Sequence, residues 1–347
     1  MSTDGGSGES WAALLKEVSR SFHLTLRVLP RSVRRPIGLA YLLARATDTV
    51  ADASSLPVAL RRRTLESLRA RILDPAAPAP PLEPFQAEVP DITPGERRLM
   101  VRLPGALDAL DRTQAWEKSR IRSVLETITG GQILDLERFG DLQPGMGPRV
   151  VVTLPDAAAL DDYTWRVAGC VGEFWTHLCR GRLFPEARID ESAFLADGIR
   201  LGKGLQLINI LRDLPKDLQA DRCYLPQDEL ARVGLEPADL RDPAVEPRLR
   251  PIHDAWRRQA ESHLEAGWRY VRRIPADQRR VRLACAWPIL IGLRTLDRLR
   301  EPGILDPVRR VKVSRSEVRG ILWATVWRLP FPGAWDGLFE AHRRAGR

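Results

Sequence analysis

Residues 205–226 read LQLINILRDLPKDLQADRCYLP, and the spacing of the polar positions within them decides the fold class. Gln206, Asn209, Asp213 and Asp217 follow at steps of three, four and four, which on a helix puts them along one narrow stripe. Leu205, Leu207, Ile208, Ile210 and Leu211 take most of the remaining surface, so the predicted helix is apolar nearly all round with one acidic seam. Such a helix is buried by its neighbours, and carboxylates on it need a compensating positive charge. At ~6 Å and an effective dielectric near 20 two carboxylates repel by roughly 3 kcal/mol, against about 0.2–0.5 kcal/mol on a solvated helix face. Two readings stand side by side. A hard divalent cation, Mg²⁺ or Mn²⁺, held through carboxylate, amide and water oxygens relieves the repulsion and grips a phosphate-bearing substrate. Alternatively the seam is a charged helix end running into a surface loop, with Arg212 and Lys216 as local partners.

The same pattern occurs once more upstream. Tyr41, Arg45, Asp48 and Asp52 lie at steps of four, three and four among Ile37, Leu39, Leu42, Leu43, Ala44 and Val50. A lone D-x-x-x-D is common on exposed helices, but two of them on almost wholly apolar helices, far apart in the chain, are a stronger signal. If the two helices face one another across a cavity, four carboxylates meet, and divalent cations between them can hold a diphosphate. Gln132 and Asp135 share a face in the intervening stretch GGQILDLERF.

Working outward, the periodicity is helical nearly everywhere and predicts an all-α fold. Helices are expected at 10–27, 33–53, 57–73, 97–113, 116–139, 158–182, 190–214, 252–273, 277–299 and 314–328. The proline-dense stretch 74–95 is expected to be a non-helical surface excursion, and 140–157 and 218–251 to be irregular. Gly169 and Gly172 interrupt a good helix, marking close approach by a neighbouring helix or a ligand, or a kink. Pro215 is expected to push Leu214 out of helical geometry and leave Asp217 beyond a kink. One domain over 10–330 is read, with a flexible leader at 1–9 and a C-terminal tail at 331–347.

The net charge of +9 over 347 residues favours anionic partners such as diphosphates, acidic headgroups or nucleic acid. The nucleic-acid reading lacks a recognition-helix motif or an aromatic platform, and it leaves the buried carboxylates to repel phosphate. Cys170, Cys179, Cys223 and Cys285 show no metal or disulfide spacing and are expected to be reduced and buried. No Rossmann fingerprint, Walker A or H-E-x-x-H occurs. With no signal peptide and no long apolar run, a cytoplasmic protein is expected. The SRSF stretch, Ser19, Arg20, Ser21 and Phe22, stands near several arginines; it suits phosphate oxygens or is simply a helix cap before a basic turn.

With these residues in hand the chain resembles the squalene/phytoene synthase family of head-to-head prenyl transferases. The resemblance runs from Ser19 to about Val326 and rests on SRSF at 19–22, YLLARATDTVAD at 41–52, VAGCVG at 167–172, and LQLINILRD with the RCYLP tail. It implies the isoprenoid synthase fold around a central cavity and condensation of two farnesyl diphosphates to presqualene diphosphate, then to squalene. Asp48, Asp52, Asp213 and Asp217, with Asn209, would hold Mg²⁺. Ser19, Arg20, Ser21, Phe22, Arg45, Gln132, Tyr163, Gln206, Arg212 and Arg222 would contact substrate, and Tyr41 would assist proton removal. Arg166 stands where relatives often have Tyr, so that tyrosine's role passes to Tyr163 or lapses. Lys312 and Arg315 lie in a segment similar to one that contacts NADPH in squalene synthases. Dehydrosqualene, hydroxysqualene and phytoene synthases share the motifs. The aromatic C-terminal segment from Gly320 is expected either to bind anionic bilayers peripherally, on the inner membrane face, or to close the core.

Overall fold

The computed structural model describes residues 11–19, 22–140 and 150–344. The expected leader, Arg20 and Ser21 lie outside them. Helices make up most of the described chain, as the periodicity predicts, and they fall into two compact units, Met1–Leu136 and Glu137–Arg347.

The first unit contains α1 (Trp11–Val18), α2 (Phe22–Val28), α3 (Arg31–Asp52), α4 (Val58–Leu73), α5 (Glu83–Gln86), α6 (Pro94–Asp111) and most of α7 (Ala115–Phe139). α3 packs against α1, α2, α4 and α6 and buries Val33, Ile37, Leu43, Ala46 and Val50. The helix expected over 10–27 is two helices, α1 ending at Val18 and α2 starting at Phe22, whose amide donates to the Ser19 carbonyl at 2.8 Å. The proline-dense stretch also departs from expectation. Pro84 opens the one-turn α5, where a missing N–H costs nothing, and Phe85 anchors it in the core. α6 begins with Thr93 and Glu96 capping one another reciprocally, with Pro94 in its first turn.

The second unit contains α8 (Ala157–Thr164), a π-helical turn at Trp165–Gly169, α9 (Cys170–Leu183), α10 (Glu191–Gln219), α11 (Gln227–Arg232), α12 (Glu246–Arg273), α13 (Arg279–Arg298), α14 (Arg315–Arg328) and α15 (Pro332–Arg344). α10 packs chiefly on α12, α9 and the π turn. Its Leu207, Ile208, Ile210, Leu211, Leu214 and Leu218 are buried, as the apolar pattern around the seam requires. Close helix approach explains the glycines. A Cβ on Gly172 would land on the carbonyl oxygen of Gly198 in α10, and one on Gly202 would land on that of Ala168.

Three sequence expectations are corrected in this unit. α10 runs unbroken through Pro215 to Gln219, so Asp217 stays on the helix one turn after Asp213. Proline has no N–H for the Leu211 carbonyl four residues back. His253, a fully buried α12 residue, lies near that carbonyl, and neither of its ring nitrogens has a hydrogen-bond partner among the described residues. Next, α12 starts at Glu246 rather than 252, its carboxylate accepting from the Gly303 and Ile304 amides and from Arg250. The tail is also a helix, α15, whose Trp335 and Phe339 are buried and stack near Trp268 at 5.5 and 5.3 Å between ring centroids.

The stretch after α10, expected to be irregular, holds a short strand. Asp221, at a φ of 59°, turns the chain into β2 (Arg222–Pro226), which pairs in parallel with β1 (Val152–Leu154). The register sets Arg222 opposite Val152. All four cysteines are free and buried, as expected.

Candidate active site

The upstream acidic pair sits at the C-terminal end of α3, within the first unit. The amide Nε2 of Gln132, on α7, donates to Asp48 at 2.5 Å, and Arg45 stands 3.9 Å from the same carboxylate. Arg45 is itself engaged by Glu96. That contact follows from the α6 cap: one Glu96 oxygen accepts from the Thr93 amide and hydroxyl at 2.8 and 2.6 Å, which leaves the other for the guanidinium. Burial works against the Glu96 charge, but the bonds from Thr93 and the Arg45 charge outweigh it and hold the carboxyl below the usual range.

Asp48 behaves in the opposite way. Burial first, then the charge of Asp52 one turn away, push it up to about 6, while Arg45 and the Gln132 amide oppose the shift. Protein atoms crowd the carboxylate, yet 43 % of the side chain is reached by water. The Gln132 carbonyl oxygen is buried and has no hydrogen-bond partner among the described residues. Two carboxylates in mutual repulsion beside an unused neutral oxygen are the donor set a hard cation takes. Mg²⁺ keeps waters and substrate phosphates in its shell, so a two-carboxylate site suits it. Among the described residues no three His, Cys, Asp or Glu side chains converge into one metal-holding cluster.

Tyr41, two turns upstream of Asp48, donates its hydroxyl to the Val18 carbonyl at 3.1 Å and stacks on Phe22 at 5.1 Å. Ser19 is buried with its hydroxyl unpartnered among the described residues, and its carbonyl accepts from the Phe22 amide. Phe22, the last residue of the SRSF stretch, thus stands beside the α3 tyrosine. Arg20 and Ser21 fall outside the described residues.

The second acidic seam lies on α10, in the second unit. Arg212 chelates its neighbour Asp213 through two bonds of 2.8 and 2.6 Å, so one local partner weighed in the sequence reading is engaged. Lys216 is exposed. Asn209 donates to Gln206 at 3.4 Å along the same stripe, and Asp217 adds its charge to the field that holds the Arg212 proton. Tyr163 is buried in an aromatic stack, 4.6 Å from Tyr224 of the RCYLP strand, which meets Phe139 edge-on. Arg166, in the π turn, pairs with Asp162 at 2.7 Å. Lys312 and Arg315 are exposed where the chain enters α14.

Glu96 and His253 also bear on the site. Glu96 positions Arg45, and its signal was the T-P-G-E capping pattern. His253 backs the turn of α10 that carries the seam; nothing in its local sequence points there.

Residues 15–317 match the family model for squalene/phytoene synthase. The chain is 28% identical over 260 residues, 75% of its length and 74% of the relative's, to a presqualene diphosphate synthase of Zymomonas mobilis. It is 29% identical over 263 residues, 74% and 75% of the two chains, to the presqualene diphosphate synthase of Rhodopseudomonas palustris. In fold it is similar to a ligand complex of TcSQS, with a TM-score of 0.74, 21% identity and 97% of each chain covered. A dehydrosqualene synthase structure gives a TM-score of 0.62 at 22% identity, covering 92% of this chain and 95% of that one. The chain belongs to the squalene/phytoene synthase family and is a prenyltransferase of the head-to-head type.

Proposed function

We propose that the enzyme joins two molecules of farnesyl diphosphate and releases presqualene diphosphate. The observation that carries this reading is the Asp48–Asp52 pair, where burial and mutual repulsion leave a carboxylate with a raised proton affinity that a hard divalent cation relieves. Two relatives covering 75% and 74% of this chain carry that activity in their names, which supports the C15 substrate over the C20 one.

Asp48, Asp52, Asp213 and Asp217, with Asn209, are the residues that would hold Mg²⁺. When bound, the ion supplies positive charge against the leaving diphosphate. Arg45, Arg212 and Arg222 supply guanidinium charge for diphosphate oxygens, and Ser19, Arg20 and Ser21 extend this set. Arg212 exchanges its bidentate hold on Asp213 for the diphosphate as substrate arrives. Gln132 holds Asp48 in its rotamer, while Gln206 and Tyr163 border the substrate. The C–O bond of one ester breaks, the double bond of the second attacks the allylic cation, and loss of a proton closes the cyclopropane. Tyr41 assists that proton's removal, with its hydroxyl oriented by the Val18 carbonyl and its ring by Phe22. Apolar helix faces beside the seams keep water from trapping the cation.

Reduction to squalene is a separate step, for which Lys312 and Arg315 are the proposed NADPH contacts. Incubation of the purified protein with farnesyl diphosphate and Mg²⁺, with and without NADPH, followed by extraction and chromatography, tests the reading. Presqualene diphosphate is expected in both arms. Squalene confined to the NADPH arm adds the reductive step, and dehydrosqualene or hydroxysqualene without NADPH shows the cation meeting another fate. Phytoene from geranylgeranyl diphosphate, with no C30 product from farnesyl diphosphate, overturns the assignment.

A further inference from the structure

The aromatic C-terminal segment divides sharply in the structure. Trp335, Leu338 and Phe339 of α15 are buried. Trp323 and Trp327 of α14 are 65% and 71% exposed, Val326 is 46% exposed, and Phe331, in the turn after the helix, is 64% exposed. Exposed tryptophans one turn apart lie on one face, and Arg319, a turn earlier, lies on the same side. The opposite face is fastened to the second unit. Ile321 and Thr325 are buried, Trp287 on α13 donates its ring N–H to the Thr325 hydroxyl at 2.9 Å, and Arg298 pairs with Glu317 at 2.5 Å. α14 is thus held by one side while the other presents an aromatic stripe to solvent.

We propose that this outward face of α14, with Phe331, is a docking surface for an anionic lipid bilayer. The charge around the stripe selects that occupant. Arg315, Arg319 and Arg328 are all exposed on α14, while its single acidic residue, Glu317, is taken up by Arg298. A second copy of the chain placed on this face by a twofold axis would set those arginines against their own counterparts, an arrangement that like-charge repulsion opposes. Anionic headgroups pair with them instead. Tryptophan is the side chain that favours the headgroup level, where the ring is buried and the indole N–H stays wet. Among the described residues no helix is long and apolar enough to cross a membrane, so α14 would lie in the surface plane. The inference goes beyond the proposed reaction, and its test does not use turnover.

The full-length protein is mixed with vesicles of phosphatidylcholine alone, or of phosphatidylcholine and phosphatidylglycerol in equal parts, and pelleted. Binding to the anionic vesicles is expected, weakening with added salt, and brominated acyl chains are expected to quench tryptophan fluorescence. The triple variant Trp323→Ser, Trp327→Ser, Phe331→Ser should lower the partition coefficient roughly tenfold or more, because the apolar anchors are gone. Arg319→Gln with Arg328→Gln should lower it by about fivefold per arginine on anionic vesicles. All five positions are exposed, and a thermal melt checks that each variant is folded. Equal binding to neutral vesicles, or binding of both variants at the wild-type level, overturns the proposal. A lipid-free dimer in sedimentation velocity that the triple variant abolishes also overturns it, because the face would then be covered by a second copy.

Discussion

At Asp48 the requirements of folding and of the proposed cation site conflict. Its pKa of about 6 lies above the ~3.9 of a free carboxyl, so the metal-free protein takes up a proton on folding between roughly pH 4 and 6. The sign is therefore that of a raised acid: its contribution is harmless below pH 4 and becomes a penalty as pH rises through 6. Asp48→Asn should raise the melting temperature of the metal-free protein at pH 7 to 8. With 43 % of the side chain exposed, solvent screening limits the gain to about 1 kcal/mol. The same variant should lose Mg²⁺-dependent diphosphate release by ~10³-fold or more while keeping its helical circular dichroism. Unchanged stability at pH 8 would count against the repulsion, and turnover at the wild-type rate would count against the cation. At Glu96 the expectation runs the other way. Glu96→Gln keeps the shape but weakens both the cap on α6 and the hold on Arg45, at a cost of about 2 kcal/mol in urea unfolding. The Asp48 spacing was legible from α3 alone, whereas the Glu96 contact bridges 51 positions of sequence.

At the scale of elements, the packing of α10 governs the second unit. Gly172→Ala and Gly202→Ala each drive a methyl group into a backbone carbonyl of the facing segment, which cannot step aside as a side chain would. A loss of about 3 kcal/mol or more is expected for either, read from urea midpoints. The histidines of α12 give the helix pair a pH dependence. Burial first, then Arg250, lower His253 to about 4; burial first, then Arg200 and Lys203, lower His263 to about 4. Both are neutral in the fold but take up protons near pH 6.5 when unfolded. Their contribution is complete above pH 6.5 and is lost as pH falls through 4, at roughly 2–3 kcal/mol each when fully expressed. His253→Phe should flatten that acid limb, and a limb unchanged in the variant would remove His253 as its source. The unbroken run of α10 through Pro215 belongs to this scale too. Flanking packing by Leu211, Leu214 and Leu218 outweighs the local cost of proline.

At the scale of the whole molecule, the chain end is structural. α15 is bound by the Trp268, Trp335 and Phe339 stack, by Arg343 to Glu261 and Glu265, and by Arg272 to Asp336. Removing residues from 329 onward should therefore lower the melting temperature and expose apolar surface, read as a rise in dye binding, even with α14 left in place. Only point variants on α14 separate the docking surface from the core.

What the sequence by itself determined are the properties set by chain geometry over a few turns. The apolar periodicity made the protein helical, the three- and four-residue steps put Tyr41, Arg45, Asp48 and Asp52 on one stripe and Gln206, Asn209, Asp213 and Asp217 on another, and scattered cysteines meant buried thiols. The tertiary structure alone decided partners and exposure. It chose Gln132 for Asp48 across 84 positions and Glu96 for Arg45, put Tyr163 against Tyr224, and sorted one run of aromatics into a buried set at Trp335 and Phe339 and an exposed set at Trp323, Trp327 and Phe331. The physical reason is range: a helical repeat is written in neighbouring residues, but which side chain meets which, and which meets water, depends on how distant helices pack.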